Sequence, residues 1–195
     1  MWDERFSKYE FVYGEEPNAF IRECLEKIET GKAIFPAEGE GRNAVFAATL
    51  GWNCTAYDTS IEGRSKALNW AQKLNQTLDY VLEGHESFQS EANYFDALIL
   101  CFSHVPGPMR KPLHEKLWKM VKPGGHLILV GFAKEQLGLN SGGPKDLAML
   151  FEQKEVQSDF ASTEWIEAHS GEEVLDEGPF HQGKAYTVRL FGKKK

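Results

Sequence analysis

The chain has 195 residues, of which 42% are hydrophobic and 26% are charged, and its formal net charge is −7. This length suits one domain with a full hydrophobic core, and an acidic chain lacks the basic surface with which nucleic-acid-binding proteins hold phosphates. The start MWDERFSKYE has no apolar region typical of a secretory signal, and no apolar run reaches the roughly 18 residues of a membrane span. We therefore expect one domain over 1–195, cytoplasmic and monomeric, whose partner is a small molecule rather than a nucleic acid or a membrane.

Strands and helices alternate over the first two thirds of the chain. We predict helices at 17–31, 42–50, 62–76 and 109–122, and strands at 32–37, 53–58, 78–84, 94–102 and 126–132. Such alternation is typical of an α/β protein with a largely parallel sheet and helices on both faces.

The last third of the chain follows a different pattern. A glycine-rich loop over 137–144 precedes a predicted helix at 145–156, and two predicted strands, 164–178 and 184–192, are joined by the turn PFHQG. Hydrophobic and polar residues alternate in the second strand, so one of its faces is buried. These strands predict an antiparallel hairpin at the end of the sheet, which is not part of the standard dinucleotide-binding fold.

Three cysteines, Cys24, Cys54 and Cys101, are far apart in the sequence. Their odd number and wide spacing match neither a disulfide framework nor a metal site. We expect reduced thiols, with Cys24 and Cys54 in the core, and no bound metal.

A glycine turn follows the first predicted strand. Gly39 and Gly41 bracket Glu40, and Ala44 completes a G-x-G-x-x-A pattern that opens a helix. Glycines permit a tight turn and a close approach of the backbone to a ligand. Asp58 ends the second strand, where a carboxylate can accept hydrogen bonds from both hydroxyls of a ribose. The pattern predicts a nucleoside-containing ligand, and the alternative is a tight turn without a ligand.

Two cofactors contain a suitable nucleoside. Glu38 and Glu40 flank the glycine turn, and two carboxylates would repel the pyrophosphate of a nicotinamide dinucleotide. The same carboxylates tolerate the ammonium and sulfonium charges of S-adenosylmethionine, which has no phosphate. This comparison favours S-adenosylmethionine, and a nicotinamide-dependent oxidoreductase is the less favoured alternative because the sequence offers no Tyr-x-x-x-Lys pair.

Eight stretches of the chain carry a resemblance to a known family: WDERF, VYGEEPNAF, EGEGRNAVFAATLGW, YDTS, YFDALILCFSHVP, VKPGGHLILVGF, GGPKD and EGPFHQGKA. Together they resemble class I S-adenosylmethionine-dependent methyltransferases and, within this class, the small tellurite-resistance-like and thiopurine-like branch. The resemblance implies a Rossmann-like, mostly parallel sheet of seven strands with the last strand antiparallel. It also implies methyl transfer from S-adenosylmethionine to a small acceptor such as a thiol, a metalloid or a compact heterocycle. A protein that binds this cofactor without turnover is the alternative.

The resemblance assigns parts of the cofactor to parts of the chain. The glycine turn would hold the methionine portion, Asp58 the ribose, Gly84 and His85 the adenine, and the end of the fourth strand the space beneath the sulfonium. Many relatives have an acid where Phe35 stands and a glycine where Ala37 stands, so Glu38 or a first-strand carbonyl would have to hold the cofactor's amino group. The expected cofactor-binding residues are Tyr13, Glu38, Gly39, Glu40, Gly41, Asn43, Asp58, Thr59, Gly84, His85, Cys101 and Phe102.

Two histidines are candidates for chemistry. His104 ends the fourth strand, where ligands bind in open α/β sheets, and His181 lies in the PFHQG turn. Each could orient an acceptor or take its proton; the alternatives are a structural histidine before Pro106 and an inert turn histidine. We expect His104 near the transferred methyl group and His181 at the rim.

Two segments could cover the site. The polar and aromatic segment 1–16 is interpreted as a lid over the cofactor, or else as a docked terminus. The loop 137–144 has the composition of a substrate loop, and 141–144 would then shape the acceptor pocket, or else it is an ordinary connector.

Overall fold

The computed structural model describes residues 2–8 and 10–195 of the chain. The strands are β1 (Lys32–Pro36), β2 (Asn53–Asp58), β3 (Asp79–Leu82), β4 (Phe95–Cys101), β5 (Val121–Phe132), β6 (Thr163–Asp176) and β7 (Gln182–Lys194). The helices are α1 (Trp2–Lys8), α2 (Ala19–Leu25), α3 (Arg42–Thr49), α4 (Ile61–Lys73), α5 (Gly107–Met120) and α6 (Gln153–Asp159), and short 3-10 turns lie at Lys134–Gln136 and Leu147–Met149.

All strands form a single seven-stranded sheet in the order β3-β2-β1-β4-β5-β7-β6. The pairs from β3 to β5 are parallel, whereas β7 runs antiparallel to both β5 and β6. The predicted fold, a mostly parallel sheet closed by a hairpin, is confirmed. After β3, at the edge of the sheet, the chain crosses back over the sheet and forms β4 on the other side of β1. The strand order therefore reverses between β1 and β4, and such a reversal opens a crevice at the carboxyl ends of the two strands.

Each face of the sheet carries its own core. Along β4, Leu98 and Leu100 pack against α5 and α6, whereas Ala97 and Ile99 pack against the helices α2, α3 and α4 on the other face. Side chains alternate between the faces of a strand, so a continuously apolar strand is what a sheet covered on both faces requires. Cys24 and Cys54 are buried in the second of these cores.

The predicted helix at 145–156 is wrong. Phe151 is extended, its N–H donates to the carbonyl of Phe132, and it bridges to Ala133 beyond the end of β5. This pairing ends the 3-10 turn at Leu147–Met149. The helix α6 begins only after Glu152, which is its N-cap and whose side chain accepts the N–H of Glu155 at 2.9 Å. A tertiary contact has overridden a local helical pattern.

Other boundaries moved by a few residues. The first predicted helix contracts to α2, whose N-cap Asn18 accepts the N–H groups of Phe20 and Ile21, and β5 begins at Val121, before the Pro-Gly-Gly sequence that was predicted to precede it. None of the described helices combines the length and the apolar character needed to cross a bilayer.

Candidate active site

A cavity of about 590 Å³ lies at the carboxyl ends of β1, β2 and β4. Pockets that bind small molecules and cofactors measure roughly 300–1,000 Å³. Gly41 is the one predicted site residue that does not line it. The predicted residues that do are Tyr13, Glu38, Gly39, Glu40, Asn43, Asp58, Thr59, Gly84, His85, Cys101, Phe102, His104 and His181.

Gly41 serves helix packing instead of ligand contact. It is the N-cap of α3 with a φ of 87°, and a Cβ built on it would lie 2.5 Å from the Cβ of Ala67 in α4. The left-handed backbone and the close approach of α4 both require glycine here. The sequence pattern identified the turn but did not separate its ligand-facing glycine from its packing glycine.

Glu38 caps the helix that opens beside the cavity. Because Gly41 has no side chain to cap α3, Glu38 Oε1 accepts the N–H groups of Asn43 and Ala44, each at 2.8 Å. Burial raises the pKa of Glu38 to about 7. The amide donors at this helix start, where a phosphate would otherwise bind, are thus already occupied by a carboxylate.

Asp58 stands at the end of β2 and faces the glycine turn. Its Oδ2 accepts the N–H of Gly39 at 3.1 Å and its Oδ1 accepts the N–H of Ser60 at 2.9 Å. Burial raises the pKa of Asp58. Since each carboxylate oxygen has room for a second hydrogen bond, this group can also accept two donors from a ligand in the cavity.

Two non-glycine residues at the cavity have left-handed backbones. Ala37, at the end of β1, has a φ of 52°, and Phe102, directly after β4, has a φ of 49°. Residues with strained backbones persist only where the surrounding structure holds them, and they are concentrated at ligand-binding and active sites. The strand ends that meet at the crevice are therefore shaped for the site.

Tyr57 and His85 form one end of the cavity. The Tyr57 hydroxyl lies 2.9 Å from His85 Nδ1, and the two rings meet edge to face. Burial lowers the pKa of His85 to about 4, so the ring is neutral at neutral pH. With Gly84 and Thr59 beside them, these residues make a flat and largely uncharged wall.

The N-terminal segment lies over the glycine turn. Phe6 is buried, and a Cβ on Gly39 would lie 3.0 Å from its ring. Asp3 Oδ1 accepts the Ser60 hydroxyl at 2.5 Å and the N–H of Glu62 at 3.1 Å, which ties α1 to the start of α4. The N-terminal segment thus packs against the glycine turn, and its action as a lid over the cofactor stays a prediction.

Glu40 lines the cavity, but its carboxylate holds the N-terminal segment. Its Oε2 accepts the N–H of Val12 at 2.8 Å, and its Oε1 forms an ion pair with Lys66 at 2.8 Å. Both oxygens are therefore engaged with protein groups. This geometry gives Glu40 a role in fixing the N-terminal segment, and its predicted contact with the cofactor stays a prediction.

Arg42 and Glu177 form a buried ion pair that the sequence analysis did not predict. Arg42 Nη2 lies 2.8 Å from Glu177 Oε2, and Arg42 Nη1 donates to the carbonyl of Tyr13 at 3.1 Å. Nearby, burial raises the pKa of Cys101 to about 12, so its thiol stays neutral. Both charged residues lay within recognised stretches, EGRN and EGPFHQG, but no spacing rule distinguishes them there from exposed charges.

His104 has both ring nitrogens bonded to the backbone. Phe132 N–H donates to Nε2 at 2.9 Å, and Nδ1 lies 2.7 Å from the carbonyl of Met149, so Nδ1 carries the proton. Burial lowers the pKa of His104 to about 4. Its lone pair is already occupied, so His104 ties the end of β5 to the loop beyond and shapes the cavity wall.

His181 is buried, although it belongs to a turn. Its ring centroid lies 4.5 Å from Tyr13, 4.5 Å from Phe102 and 5.2 Å from Phe132, and the residue is 5% exposed. Its Nδ1 lies 3.3 Å from Glu177 Oε2. His181 therefore belongs to the aromatic wall of the cavity and not to a solvent-exposed turn.

The far end of the cavity is built by Ser103 and the loop 137–144. Ser103 Oγ is buried without a hydrogen-bond partner among the described residues, and it lines the cavity. Ser141 Oγ donates to the carbonyl of Lys184 at 2.6 Å, which pins the loop, and a Cβ on Gly142 would lie 2.7 Å from the His181 ring. The loop backbone thus packs against the aromatic wall, next to the buried Ser103 hydroxyl.

Comparison with known proteins agrees with this geometry. Residues 37–125, from the glycine turn to the start of β5, match the family model of a methyltransferase domain. TehB from Haemophilus influenzae superposes with a TM-score of 0.78 at 16% identity, over 100% of this chain and 67% of that chain. A comparison with curated protein sequences gives no match.

Two further structures share the fold. The first superposes with a TM-score of 0.73 at 14% identity, over 92% of this chain and 82% of the other chain. It describes the conversion of a disulfide bond into a thioacetal group during echinomycin biosynthesis. The other, a SAM-dependent methyltransferase from Methanosarcina mazei, has a TM-score of 0.65 at 16% identity, over 92% of this chain and 98% of the other. These structures share the fold of this chain, and the match to the family model indicates a methyltransferase domain over residues 37–125.

Ala37 provides a test of the strained turn. Ala37→Gly should raise the free energy of unfolding by about 0.5–1 kcal/mol, because relief of the left-handed strain exceeds the entropy that glycine adds to the unfolded chain. The control Ala47→Gly, in the middle of α3, should lower it by about 1 kcal/mol or more. Urea unfolding measures both, and an equal loss in the two variants would show that the turn is unstrained.

His104 provides a test based on pH. Its folded pKa of about 4 lies below the ordinary value of 6.5, so its contribution to stability is complete above pH 6.5 and is lost as pH falls toward 4. The loss amounts to roughly 3 kcal/mol. The difference in unfolding free energy between the native protein and His104→Ala should shrink by this amount between pH 6.5 and pH 4. A constant difference would contradict the neutral, doubly bonded ring.

Proposed function

We propose that this protein transfers a methyl group from S-adenosylmethionine to a small acceptor, as tellurite-resistance-like and thiopurine-like methyltransferases do. The observation that carries the proposal is the Asp58 carboxylate, bonded to the N–H of Gly39 at the mouth of a cavity of about 590 Å³. An acid joined in this way to a glycine turn can hold a ribose while the turn holds the adjoining part of the ligand.

We propose that the cofactor lies along the cavity, with each of its parts next to a matching group of residues. The wall of Gly84 and His85 suits an adenine ring, Asp58 suits the ribose hydroxyls, and the turn at Gly39 suits the amino-acid portion. Tyr13 offers a ring face beside which a sulfonium would gain about 0.5–2 kcal/mol. We propose that Thr59, Asn43, Cys101 and Phe102 complete the contact surface.

A nicotinamide dinucleotide fits less well. Its pyrophosphate would need the amide donors at the start of α3, but Glu38 Oε1 already accepts the N–H groups of Asn43 and Ala44. A phosphate brought to this place would also meet the Glu38 carboxylate. The helix cap therefore argues against the oxidoreductase alternative more strongly than the sequence did.

S-adenosylmethionine supplies an electrophilic methyl group, and the chain has to align an acceptor and exclude water. The aromatic wall of Tyr13, Phe102, Phe132 and His181 gives the acceptor end a dry surface. Alignment of this kind is the main task that we propose for these residues.

We propose that the acceptor is small, because a cavity of about 590 Å³ has to hold it together with the cofactor. We propose a thiol, a metalloid or a compact heterocycle, and the similarity to the structure of a disulfide conversion supports sulfur. We further propose that the single domain acts as a cytoplasmic monomer.

A binding protein without turnover is the second candidate, since His104 has no free lone pair. Incubation with methyl-labelled S-adenosylmethionine and a panel of thiols, selenite, tellurite and imidazoles separates the two. Label transfer to any acceptor supports the enzyme, and cofactor binding with no transfer across the panel supports the binding protein.

Asp58 tests the cofactor site directly. Asp58→Ala removes the acceptor for the ribose hydroxyls, so the affinity for S-adenosylhomocysteine should fall by roughly 1–3 kcal/mol, or about 5- to 150-fold. Calorimetric titration measures it, and Asp79→Ala, an exposed acid on β3, is the control. An unchanged dissociation constant in a folded Asp58→Ala protein would remove this residue from the site.

The N-terminal segment tests the idea of a lid. Deletion of residues 1–8 removes the Phe6 ring that covers Gly39 and the Asp3 bonds to α4. Affinity for S-adenosylhomocysteine should therefore fall at least tenfold while the melting temperature of the rest of the domain changes by only a few degrees. The exposed Ser7→Ala variant is the control, and a parallel loss of both quantities would show that the segment is only structural.

A further inference from the structure

Glu177 gathers three donors behind the aromatic wall of the cavity. It lies directly after β6, and its Oε2 accepts Arg42 Nη2 at 2.8 Å and lies 3.3 Å from His181 Nδ1. Its Oε1 accepts Asn18 Nδ2 at 2.6 Å. The side chain is 13% exposed, so the carboxylate is held by protein groups on both oxygens.

The partner of His181 determines where the imidazole proton sits. Burial acts to raise the pKa of Glu177, but His181 and Arg42 outweigh it and lower the pKa to about 2. An ionised carboxylate only accepts hydrogen bonds, so the proton of the neutral imidazole is on Nδ1 and the lone pair is on Nε2. A carboxylate that orients a histidine in this way is the usual support of a general base.

Nε2 of His181 is available to a ligand. It has no hydrogen-bond partner among the described residues, and the ring lines the cavity. His104 carries its proton on the same nitrogen, but there the N–H of Phe132 occupies Nε2. Of these two histidines at the acceptor end, only His181 offers a free lone pair.

We infer that Glu177 is a positioning residue that fixes His181 with Nε2 as its basic atom, so that His181 takes the proton of a protic acceptor. The inference rests on the proposed function and narrows the acceptor to a thiol or an N–H heterocycle. A metalloid oxyanion that is already deprotonated would have no use for this base.

The proton and electron balance is simple. Nε2 of His181 takes the proton from the acceptor's S–H or N–H group. The electron pair left on that atom forms the new bond to the methyl carbon, and the pair of the breaking carbon–sulfur bond stays with the departing sulfur. The imidazolium beside Glu177 then returns its proton to water.

The charges around His181 favour its neutral form. Burial lowers the pKa of His181, and Arg42 and Arg5 lower it further against the opposing effect of Glu177. His181 is therefore neutral, and able to accept a proton, at neutral pH. Turnover should be lost as pH falls through this lowered pKa, because the protonated ring has no free lone pair. The titratable and charged groups that interact with the ring are Arg5, Tyr13, Arg42, His104 and Glu177, and Lys145 lines the same cavity.

Nitrogen NMR of the ring tests the inference without a cofactor or an acceptor. In the native protein, long-range proton–nitrogen spectra should show His181 protonated on Nδ1. Glu177→Gln retains an acceptor for Nδ1–H and should retain this tautomer. Glu177→Met removes the acceptor and should shift the ring toward the Nε2–H form that predominates in water.

Turnover of thiophenol gives the second readout. Glu177→Met and His181→Ala should each lower it by about 10²-fold or more, and the double variant should lose no more than His181→Ala alone, because Glu177 acts through His181. Glu177→Gln should recover much of the loss. Dissociation constants for S-adenosylhomocysteine should change far less in all four.

Asp159 supplies a matched control outside the site. Its Oδ2 lies 2.9 Å from His114 Nδ1 and accepts Arg110 Nε at 2.8 Å, the same pairing of carboxylate, histidine and arginine. Asp159→Leu should destabilise the fold as Glu177→Met does, yet leave the His181 spectrum and the turnover per folded molecule unchanged.

The outcomes separate the two proposals. A native His181 protonated on Nε2, or a Glu177→Met protein with unchanged tautomer and turnover, would overturn the positioning role. Failure to bind S-adenosylhomocysteine would instead overturn the proposed function and leave the tautomer result standing. If Glu177→Met does not fold, the native spectrum alone decides the tautomer, and Glu177→Gln decides whether charge is needed.

Discussion

The ion pair of Arg42 and Glu177 connects parts of the chain that are far apart in sequence. Arg42 opens α3 beside the glycine turn, its second amino group holds the carbonyl of Tyr13, and Glu177 closes the hairpin loop and holds Asn18. Both charges are largely withdrawn from water, so neither could be left without its partner except at a large energetic cost. The N-terminal segment, the glycine turn and the C-terminal hairpin are in consequence fixed to one another.

Carboxylates do much of the local work around this pair, and most of it is directed at the protein. Glu38 caps α3, Glu40 holds Val12, and Asp3 reaches the start of α4. Each satisfies backbone amides that a helix start or a loop would otherwise leave unpaired. Asp58 accepts two backbone N–H groups as well, and these hydrogen bonds orient its carboxylate. Each oxygen keeps a lone pair that can accept a donor from a ligand in the cavity.

The fold was largely predictable because it depends on patterns that repeat. Apolar strands such as β4 read as buried on both faces, and the alternation in β7 indicated a hairpin. The helix expected at 145–156 failed because Phe151 pairs with the end of β5, a contact with a distant strand that no local pattern contains. The glycine turn and Asp58 were also predictable from local sequence. A tight turn after a strand requires glycine, and an acid at the end of the second strand is the group that can accept the hydroxyls of a ribose.

The sequence by itself determined the α/β class, the glycine turn, the acid after β2 and the preference for a cofactor without phosphate. Only the tertiary structure decided how individual side chains are used. In the folded chain Gly41 packs against α4, and both ring nitrogens of His104 are hydrogen-bonded to the backbone. Glu177 contacts both His181 and Arg42. The physical reason is that a residue's type limits which bonds it can make, whereas its free lone pairs depend on which partners the packed chain brings within about 3 Å.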